Sequence, residues 1–565
     1  MGTNKVIIIG IDGGTFDIIR PMVERGELPT LASIMETGTS GNLISTVPPI
    51  TIPAWVSCVT GMNPGKFGLF HFLKDTHKTY DEGRLSTSLD IKARSLWTIM
   101  SNEGKRVIVV TVPGTYPPSK VNGVMVSSVR PNQPAAVMTH PTELYEEIKG
   151  AILSERPAIA HPKWFYEDGA KEVFLDRTLA IHSMFLEKVG ETVRYLMRTR
   201  DWDFLMTVFT STDKFQHYFW SYMDPSHPAH DPVLSKKYGD VIYDGYRKAD
   251  KAIGEIMSEA GDGATVMVVS DHGFAPVHKF FYTNKWLQSI GLLTPSGIGA
   301  EPFSFVPVSI SQILSKLGLH YLARTLPFKV AGFRVPALRR ISRPWSERID
   351  WRKTKAYATS LGININLKGI EPEGIVAPGR AYEDVIEYIK QELYKLRDPG
   401  TGDPIIKTVY KKGDVYNGPY IEDADDILFS FNSPYQFLPQ KDIDSPDLFR
   451  ELNREDSISA HHLSSSEGIF LIKGPAVMTG VQIKDASIFD ITPTAMYLMG
   501  LPIPNEMDGR VIEEAIRPEY LMTHPVNSSS DSGGEVNEVV DEPAGFTPED
   551  EERIRKQLKD LGYLG

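Results

Sequence analysis

Val266-Met-Val-Val-Ser-Asp-His-Gly-Phe274 is the stretch that decides the fold of this chain. Its run of β-branched and apolar residues stops abruptly at Asp271 and His272. Such a run predicts a buried strand of a parallel sheet, with the polar pair at its carboxyl end. Open α/β sheets place their ligands at that end, and a carboxylate beside an imidazole is suited to hold a metal ion. The alternative interpretation is an ordinary polar turn after a strand.

Two further apolar runs end in residues of the same chemistry. Val6–Ile9 is followed closely by Asp12, and Phe204–Phe209 is followed by Asp213 and His217. A helix beginning just after residue 210 would place the last two side chains on one face, because they are four residues apart. Each feature alone fits helix capping or a surface ion pair. A single metal cluster explains all three strand ends at once, and we therefore predict one.

Thr51 lies close to the start of a predicted helix that ends at Gly61, in a segment with prolines at positions 48, 49 and 53. Helix capping is one explanation of its hydroxyl. The other is a nucleophile, because the helix dipole and the N–H groups of the first turn favour an anion such as a phosphate beside it. A threonine hydroxyl is a weak nucleophile at neutral pH, so the catalytic interpretation requires a metal ion.

Composition limits the classes of function. The 565 residues predict a large catalytic domain with insertions, or a few domains. The net charge of −12 does not favour nucleic acid, and we expect none as a partner. The single cysteine, Cys58, excludes an intrachain disulfide and a thiolate metal cluster. With no signal-peptide pattern and no apolar stretch of about 18 residues, the expectation is a cytoplasmic protein without a transmembrane segment.

The order of the segments predicts an α/β fold with a mostly parallel central sheet between helical layers. Residues 1–300 and 436–520 are expected to form the catalytic domain. Residues 301–435 would be an insertion, made of a lid or cap and a smaller α+β unit; the lid segment could also be a solvated helical insertion or touch a membrane surface. Residues 521–546 are expected to be a disordered linker. Residues 547–565 are predicted to form a C-terminal helix with Ile554, Leu558 and Leu561 on one face.

Taken together, these segments resemble the alkaline phosphatase superfamily, and within it the branch called type I phosphodiesterase/nucleotide pyrophosphatase. The resemblance covers most of residues 5–515. The motifs that carry it are Ile9-Gly-Ile-Asp-Gly13, Pro49-Ile-Thr-Ile-Pro-Ala-Trp55, Asp213-Lys-Phe-Gln-His217, Ser270-Asp-His-Gly-Phe274, His461-His462 before Glu467-Gly468, and Asp490-Ile-Thr-Pro-Thr494 with Met507-Asp-Gly509. The resemblance implies an alkaline-phosphatase-like fold and a two-metal hydrolase that cleaves a phosphodiester or phosphoanhydride through a phosphothreonine intermediate on Thr51.

The same resemblance implies a set of metal ligands. One divalent ion would be held by Asp213, His217 and a late histidine, and the other by Asp12, Asp271, His272 and the Thr51 oxygen. The late histidine would be His462, if Ala460 is the equivalent of a family glycine, with His461 as the alternative. Carboxylates and imidazoles without a thiolate indicate zinc, with manganese as the alternative.

One departure from the family concerns substrate binding. Nucleotide pyrophosphatases carry an asparagine in the loop after the nucleophile's helix, where it helps to bind the phosphate oxygens, whereas Gly65–Phe72 contains none. Lys66 or His71 is the candidate replacement. The expected partner is a small-molecule phosphate ester. The sequence does not exclude a homo-oligomer. The alternatives are a phosphomonoesterase or phosphotransferase of the same superfamily, and a non-catalytic binding protein with the same fold.

Overall fold

A ten-stranded sheet forms the centre of this computed structural model, which describes residues 5–74, 80, 83–128, 138–149, 170–296, 345–437, 443, 445–530 and 546–561. In chain order the strands are β1 (Val6–Ile11), β2 (Thr39–Ile44), β3 (Val107–Val110), β4 (Gly123–Val126), β5 (Thr139–His140), β6 (Phe204–Phe209), β7 (Thr265–Val269), β8 (Glu467–Lys473), β9 (Val481–Gln482) and β10 (Ala486–Ser487). Their spatial order is β9-β2-β8-β7-β1-β6-β3-β4-β5, with β10 paired to β2.

The five neighbouring strands from β7 to β4 pair in parallel. Strand β8 runs antiparallel to β7 and β2, and β5 runs antiparallel to β4. Alternate residues of β1 enter two separate cores, with Ile7 and Ile9 in one and Val6 and Ile8 in the other. Because both faces are covered, the inner strands are apolar throughout rather than alternating. The predicted α/β class with a mostly parallel sheet is confirmed.

The helices that flank the sheet belong to two layers. The α-helices are α1 (Phe16–Glu24), α2 (Pro29–Thr37), α3 (Thr51–Thr60), α4 (Pro64–Phe67), α5 (Leu96–Asn102), α6 (Leu144–Ile148), α7 (Ala170–Thr199), α8 (Ser211–Met223), α9 (Ser235–Tyr238), α10 (Val241–Ala260), α11 (Thr283–Ser289), α12 (Arg380–Tyr394), α13 (Lys412–Val415), α14 (Ile491–Leu498), α15 (Pro518–Thr523) and α16 (Pro548–Asp560). Helices α1, α2, α7, α8 and α10 pack into the first core, and α3, α5 and α14 into the second. Every helix in the described ranges is too short or too polar to cross a membrane.

A smaller α+β unit follows the main part of the sheet. Its four strands lie in the order Ala356–Ala358, Gly362–Ile365, Ile427–Phe431 and Ile406–Lys411, and all of them pair antiparallel. Helix α12 buries Ile386, Ile389 and Leu393. The predicted lid lies almost wholly in residues 297–344, outside the described residues, so the lid and the domain boundaries stay predictions.

Short strands connect distant parts of the chain. They are Leu73–Lys74 with Arg84–Leu85, Ala275–Pro276 with Ala460–His461, Ile503–Pro504 with Ser528–Ser529, and the three-stranded set Tyr435–Phe437, Lys279–Phe281 and Phe449–Glu451. The pair at 503–504 and 528–529 lies partly in the segment expected to be a linker. The Tyr497 hydroxyl donates to the His524 carbonyl at 2.7 Å, which helps to hold this segment on the body. Residues 531–545 lie outside the described residues.

The C-terminal helix α16 packs against the first core. Leu558 and Leu561 are buried, and Ile554 packs against the first core. Glu551 Oε1 accepts from the Leu85 amide at 3.1 Å, and Ser457 donates to the Asp560 carbonyl at 3.2 Å. The apolar face that the sequence places on this helix is therefore a docking face.

Candidate active site

Three parallel strands place the predicted acidic residues at one edge of the sheet. Strand β1 lies between β6 and β7. Asp12 follows β1, Asp213 lies in the first turn of α8 just after β6, and Asp271 follows β7. Because the carboxyl ends of parallel strands meet at the same edge, the three carboxylates converge although up to 259 residues separate them in sequence.

The turns after β1 and β7 pack closely against each other. Gly13 has a φ of 70°, in the left-handed region, and a Cβ atom there would lie 2.8 Å from the Phe274 ring. Its amide donates to Asp271 Oδ1 at 3.2 Å. Ser270 accepts from the Gly14 amide at 2.7 Å and donates to the His272 carbonyl at 2.6 Å. The two strand ends are thus tied directly to each other.

The two late histidines reach the same place from a different element. His461 lies in the short strand that pairs antiparallel with Ala275–Pro276, just after the end of β7. This pairing places His461 and His462 beside the residues that follow β7. The ring centroids of His272 and His462 are 3.7 Å apart, and those of His217 and His461 are 4.9 Å apart.

All the Asp and His residues of the predicted ligand set lie in one buried cluster. Three groups have ligand atoms within 4.8 Å of one another: Asp12 with Asp271 and His272, Asp213 with His272 and His462, and His217 with His461 and His462. His272 and His462 each belong to two groups, so the groups are contiguous. The structure brings both late histidines into the cluster.

The hydrogen bonds of the imidazoles indicate their tautomers. Each of three rings has its Nδ1 against a backbone carbonyl oxygen. His217 Nδ1 lies 2.9 Å from the Ala460 oxygen, His272 Nδ1 lies 3.0 Å from the Gly273 oxygen, and His462 Nδ1 lies 2.6 Å from the Pro49 oxygen. A carbonyl oxygen only accepts, so each Nδ1 carries a proton, and in a neutral ring the lone pair is then on Nε2. Histidines that bind metal ions through Nε2 usually have this arrangement.

In His461 the arrangement is reversed. Its Nδ1 accepts the backbone N–H of His462 at 2.9 Å and of Leu463 at 3.3 Å. Because an amide nitrogen only donates, Nδ1 carries the lone pair and Nε2 carries the proton. His461 therefore presents a proton on Nε2, whereas the neighbouring His462 presents a lone pair there.

The distances within the cluster fit a metal centre. His217 Nε2 is 3.3 Å from Asp213 Oδ1, His272 Nε2 is 3.1 Å from Asp271 Oδ2, and Thr51 Oγ1 is 3.3 Å from His272 Nε2. Neighbouring donors around a tetrahedral zinc ion, each about 2 Å from it, are roughly 3.3 Å apart.

Within the cluster, three buried carboxylate oxygens accept no hydrogen bond from the part of the chain that the structure describes: Asp12 Oδ1, Asp213 Oδ1 and Asp271 Oδ2. Acceptors left in this way are costly when buried, and a bound cation would compensate them. The donor set and its distances therefore fit divalent ions.

Burial and mutual charge shift the pKa values of the cluster in both directions. Burial and the charges of Asp271 and Asp213 raise the pKa of Asp12 well above its ordinary value. Burial and the neighbouring imidazoles lower the pKa of His461 and His462 well below the ordinary histidine value. Two shifts run the other way: against the effect of burial, the charges of Lys214 and His217 lower the pKa of Asp213 well below its ordinary value, and the charge of Asp271 raises the pKa of His272. The buried carboxylates therefore depend on positive charge beside them, and a bound cation would supply it.

Thr51 is the first residue of α3, after the cap residue Ile50. Its hydroxyl points at His272 and not at an amide of its own helix. The helix ends at Gly61, whose φ of 67° is left-handed. The structure thus places Thr51 beside the Asp and His cluster, at a helix N-terminus.

The two candidate substrate donors have other contacts. Lys66 Nζ lies 2.7 Å from Asp508 Oδ1 and donates to the Glu506 carbonyl at 2.7 Å. These contacts tie Lys66 to the 506–508 turn and not to the cluster. His71 is buried, and its Nδ1 accepts from the Leu73 amide at 3.3 Å.

Lys214 is a site residue that the sequence did not single out. Its Nζ lies 2.7 Å from Asp213 Oδ2, and its side chain is partly exposed. Lys214 is the sequence neighbour of Asp213. Its position between Asp213 and His217 on one short helical segment is the feature of the sequence that could have indicated this role. Lys214 adds a positive charge at the rim of the cluster.

Comparisons with known proteins found a family model and similar solved structures. A family model described as type I phosphodiesterase / nucleotide pyrophosphatase matches residues 6–461. Phosphonoacetate hydrolase from Sinorhizobium meliloti 1021, in complex with phosphonoformate, is a similar solved structure, with a TM-score of 0.51 at 15% identity over 88% of this chain and 96% of that chain. Human ectonucleotide pyrophosphatase / phosphodiesterase 5 has a TM-score of 0.47 at 13% identity, over 91% of this chain and 100% of that chain. Among curated proteins, none matches the sequence.

Proposed function

Because the chain belongs to the type I phosphodiesterase / nucleotide pyrophosphatase family, we propose that it cleaves a phosphodiester or a phosphoanhydride through Thr51, with two bound divalent ions. Membership of the family makes it a phosphoric ester hydrolase of the alkaline phosphatase superfamily. The observation that carries the finer proposal is the 3.3 Å distance between Thr51 Oγ1 and His272 Nε2 inside the buried Asp and His cluster.

The proposed ligands divide into two sets. Asp213, His217 and His462 would hold one ion; Asp12, Asp271, His272 and the Thr51 oxygen would hold the other. The proximity of the Asp12, Asp271 and His272 ligand atoms supports the second set, and each set contains a buried carboxylate oxygen that accepts no hydrogen bond within the described chain. His462 is preferred to His461 because only His462 has its Nδ1 against a carbonyl oxygen. The donors suit zinc, with manganese as the alternative.

When bound, the two ions supply positive charge that favours an ionised hydroxyl and offsets the charge on the phosphoryl oxygens. Thr51 Oγ, its proton lost to water, forms a bond to phosphorus while the bond to the leaving oxygen opposite breaks; the alcohol or phosphate departs with that oxygen, and the covalent product is a phosphothreonine. The first-turn N–H groups of α3 point towards an anion at this position, and the dipole of the helix favours it. Water then hydrolyses the phosphothreonine and regenerates the Thr51 hydroxyl.

One observation supports phosphomonoester cleavage as a second candidate. The Lys214 ammonium lies at the rim of the cluster, on the second oxygen of Asp213. A monoester carries one more negative charge than a diester at neutral pH, and a cation at the rim would favour that extra charge.

The test compares two substrates on zinc-loaded protein. We expect bis-p-nitrophenyl phosphate to be hydrolysed faster than p-nitrophenyl phosphate. Faster turnover of the monoester would replace the first candidate with the second. Hydrolysis of neither, by protein that has taken up zinc, would favour a binding protein that keeps the fold without the catalysis.

A further inference from the structure

His461 differs from the other imidazoles of the cluster in the nitrogen that carries its proton. Two backbone amides donate to its Nδ1, at 2.9 and 3.3 Å. An amide only donates, so Nδ1 is the acceptor and the ring proton is on Nε2. A nitrogen that carries a proton has no lone pair with which to bind a metal ion. His461 thus presents an N–H at Nε2, where the other imidazoles of the cluster present a lone pair.

The backbone fixes this donor in place. His461 pairs antiparallel with Ala275, and the amides that contact Nδ1 belong to the two residues that follow it. The ring is fully buried, and its centroid lies 4.4 Å from that of His462 and 4.9 Å from that of His217. A rotation of the ring would break both amide contacts, so the orientation of the Nε2–H is set by the main chain.

We propose that His461 donates its Nε2–H to a non-bridging oxygen of the phosphoryl group that Thr51 attacks. This proposal rests on the proposed function, because it places a phosphoryl group in the cluster. A phosphoryl oxygen is an anionic acceptor, and a neutral buried donor binds it without adding a charge that would repel the metal ions. Lys66, the donor that sequence reasoning offered for this role, is held by Asp508 instead. His461 is therefore a substrate-binding residue, and His462 beside it is a ligand.

The test uses His461→Met, which removes the donor, and His461→Gln, whose amide N–H reaches a similar distance at similar volume. His462→Met is the matched control on the neighbouring residue. Zinc content and the affinity for inorganic phosphate, by titration calorimetry on zinc-loaded protein, are measured for all three. We expect His461→Met to keep the zinc content of the parent and to bind phosphate roughly tenfold to a hundredfold more weakly, the loss of one hydrogen bond to a charged oxygen. His461→Gln should recover most of this affinity, and His462→Met should lose zinc.

Three results would overturn the proposal: loss of zinc from His461→Met, unchanged phosphate affinity in that variant, or a His461→Gln variant that binds phosphate as weakly as His461→Met. A readout on the unaltered protein covers the case in which a variant does not fold. In nitrogen NMR of the histidine-labelled chain, the His461 ring should show a protonated Nε2, opposite to His217, His272 and His462; a protonated Nδ1 would also overturn it. A parent protein that takes up no zinc would contradict the proposed function instead, while the NMR result still decides the tautomer.

Discussion

The candidate role of Thr51 as a nucleophile depends on a tertiary contact with His272. Thr51 is ordinary as a helix residue, since its hydroxyl caps nothing in α3. It becomes a candidate nucleophile only because the turn after β7 brings His272 within 3.3 Å of it. The stability of α3 and the chemistry of Thr51 are therefore separable by mutation.

Replacing Thr51 with alanine should abolish the chemistry and leave the fold. Turnover of bis-p-nitrophenyl phosphate should fall by several orders of magnitude, because no other group can form the covalent intermediate. The unfolding free energy should change by less than the about 1 kcal/mol that a lost cap costs. Thr51→Ser should keep part of the activity, and both variants should bind zinc. Turnover of the alanine variant at the parental rate would show that Thr51 is not the nucleophile.

Asp203 offers a pH-dependent prediction away from the site. Its carboxylate accepts from Arg106 N, Nε and Nη2 at 2.9 to 3.0 Å, next to the register pair Val107 and Phe204 that joins β3 to β6. The hydrogen bonds from Arg106 lower the pKa of Asp203 below its ordinary value of 3.8. A carboxyl group with a lowered pKa stabilises the fold above its unfolded value, and this contribution is lost as the pH falls through the folded value.

We therefore expect Asp203→Asn to be less stable than the parent at neutral pH, by roughly 1 kcal/mol because the Arg106 side chain is partly exposed. The difference should shrink as the pH falls below 3.8. Urea unfolding of both proteins at neutral pH and below pH 3.8 measures this difference in unfolding free energy. A difference that is constant with pH would mean that the carboxylate charge contributes nothing.

Among the elements, α16 has the most distinct role. It is a short polar helix with acidic residues in its first turn, and Thr547 caps it by accepting from the Asp550 amide. Isolated helices of this length are marginal in water. Its contacts with Leu85 and Ser457 join two distant segments, and Ser457 lies four residues before His461.

Leu558→Asp should release this helix from the body. Burying a charge in place of an apolar side chain is unfavourable, so the docked state should lose several kcal/mol. Amide hydrogen exchange in residues 548–560 should rise strongly, while β1 and β7 stay protected. Glu552→Asp, on the exposed side of the same helix, is the control and should exchange like the parent. Unchanged protection in Leu558→Asp would mean that the Leu558 contact does not hold the helix.

At the scale of the whole molecule, the sheet concentrates negative charge. Three carboxylates converge at one buried edge, where burial and then the charges of Asp271 and Asp213 raise the pKa of Asp12. Such an arrangement is unfavourable without a cation and favourable with one. The fold of the catalytic part should therefore depend on metal ions as much as the chemistry does.

Metal removal tests this dependence. Protein purified without chelator should contain about two equivalents of zinc. Chelation should lower the melting temperature, and added zinc should restore it, because an ion that binds only the native state stabilises that state by mass action. Asp12→Asn, which removes one carboxylate charge, should reduce both the zinc content and the shift. A well-folded chain that takes up no zinc when zinc is supplied would contradict the proposed metal centre.

The sequence by itself determined the fold class and the convergence of the carboxylates. The apolar runs at β1, β6 and β7 are local signals, and in a parallel sheet the position of a residue just after a strand is the same for every strand. Asp12, Asp213 and Asp271 could therefore be predicted as neighbours without knowing the register of any pair of strands. The start of α3 near Thr51 was also local, because prolines and a final glycine mark its ends.

Only the tertiary structure decided what distinguishes His461 from His462. Both residues have the same chemistry in sequence, and each tautomer depends on a backbone group that folding brings to Nδ1. For His462 that group is the Pro49 carbonyl, 413 residues away; for His461 it is the pair of amides that its strand pairing presents. The pairing of Lys66 with Asp508 was likewise invisible in sequence. Periodicity reports which face of an element is buried, but the hydrogen bond that fixes a proton on one ring nitrogen is a long-range contact, and no local pattern encodes it.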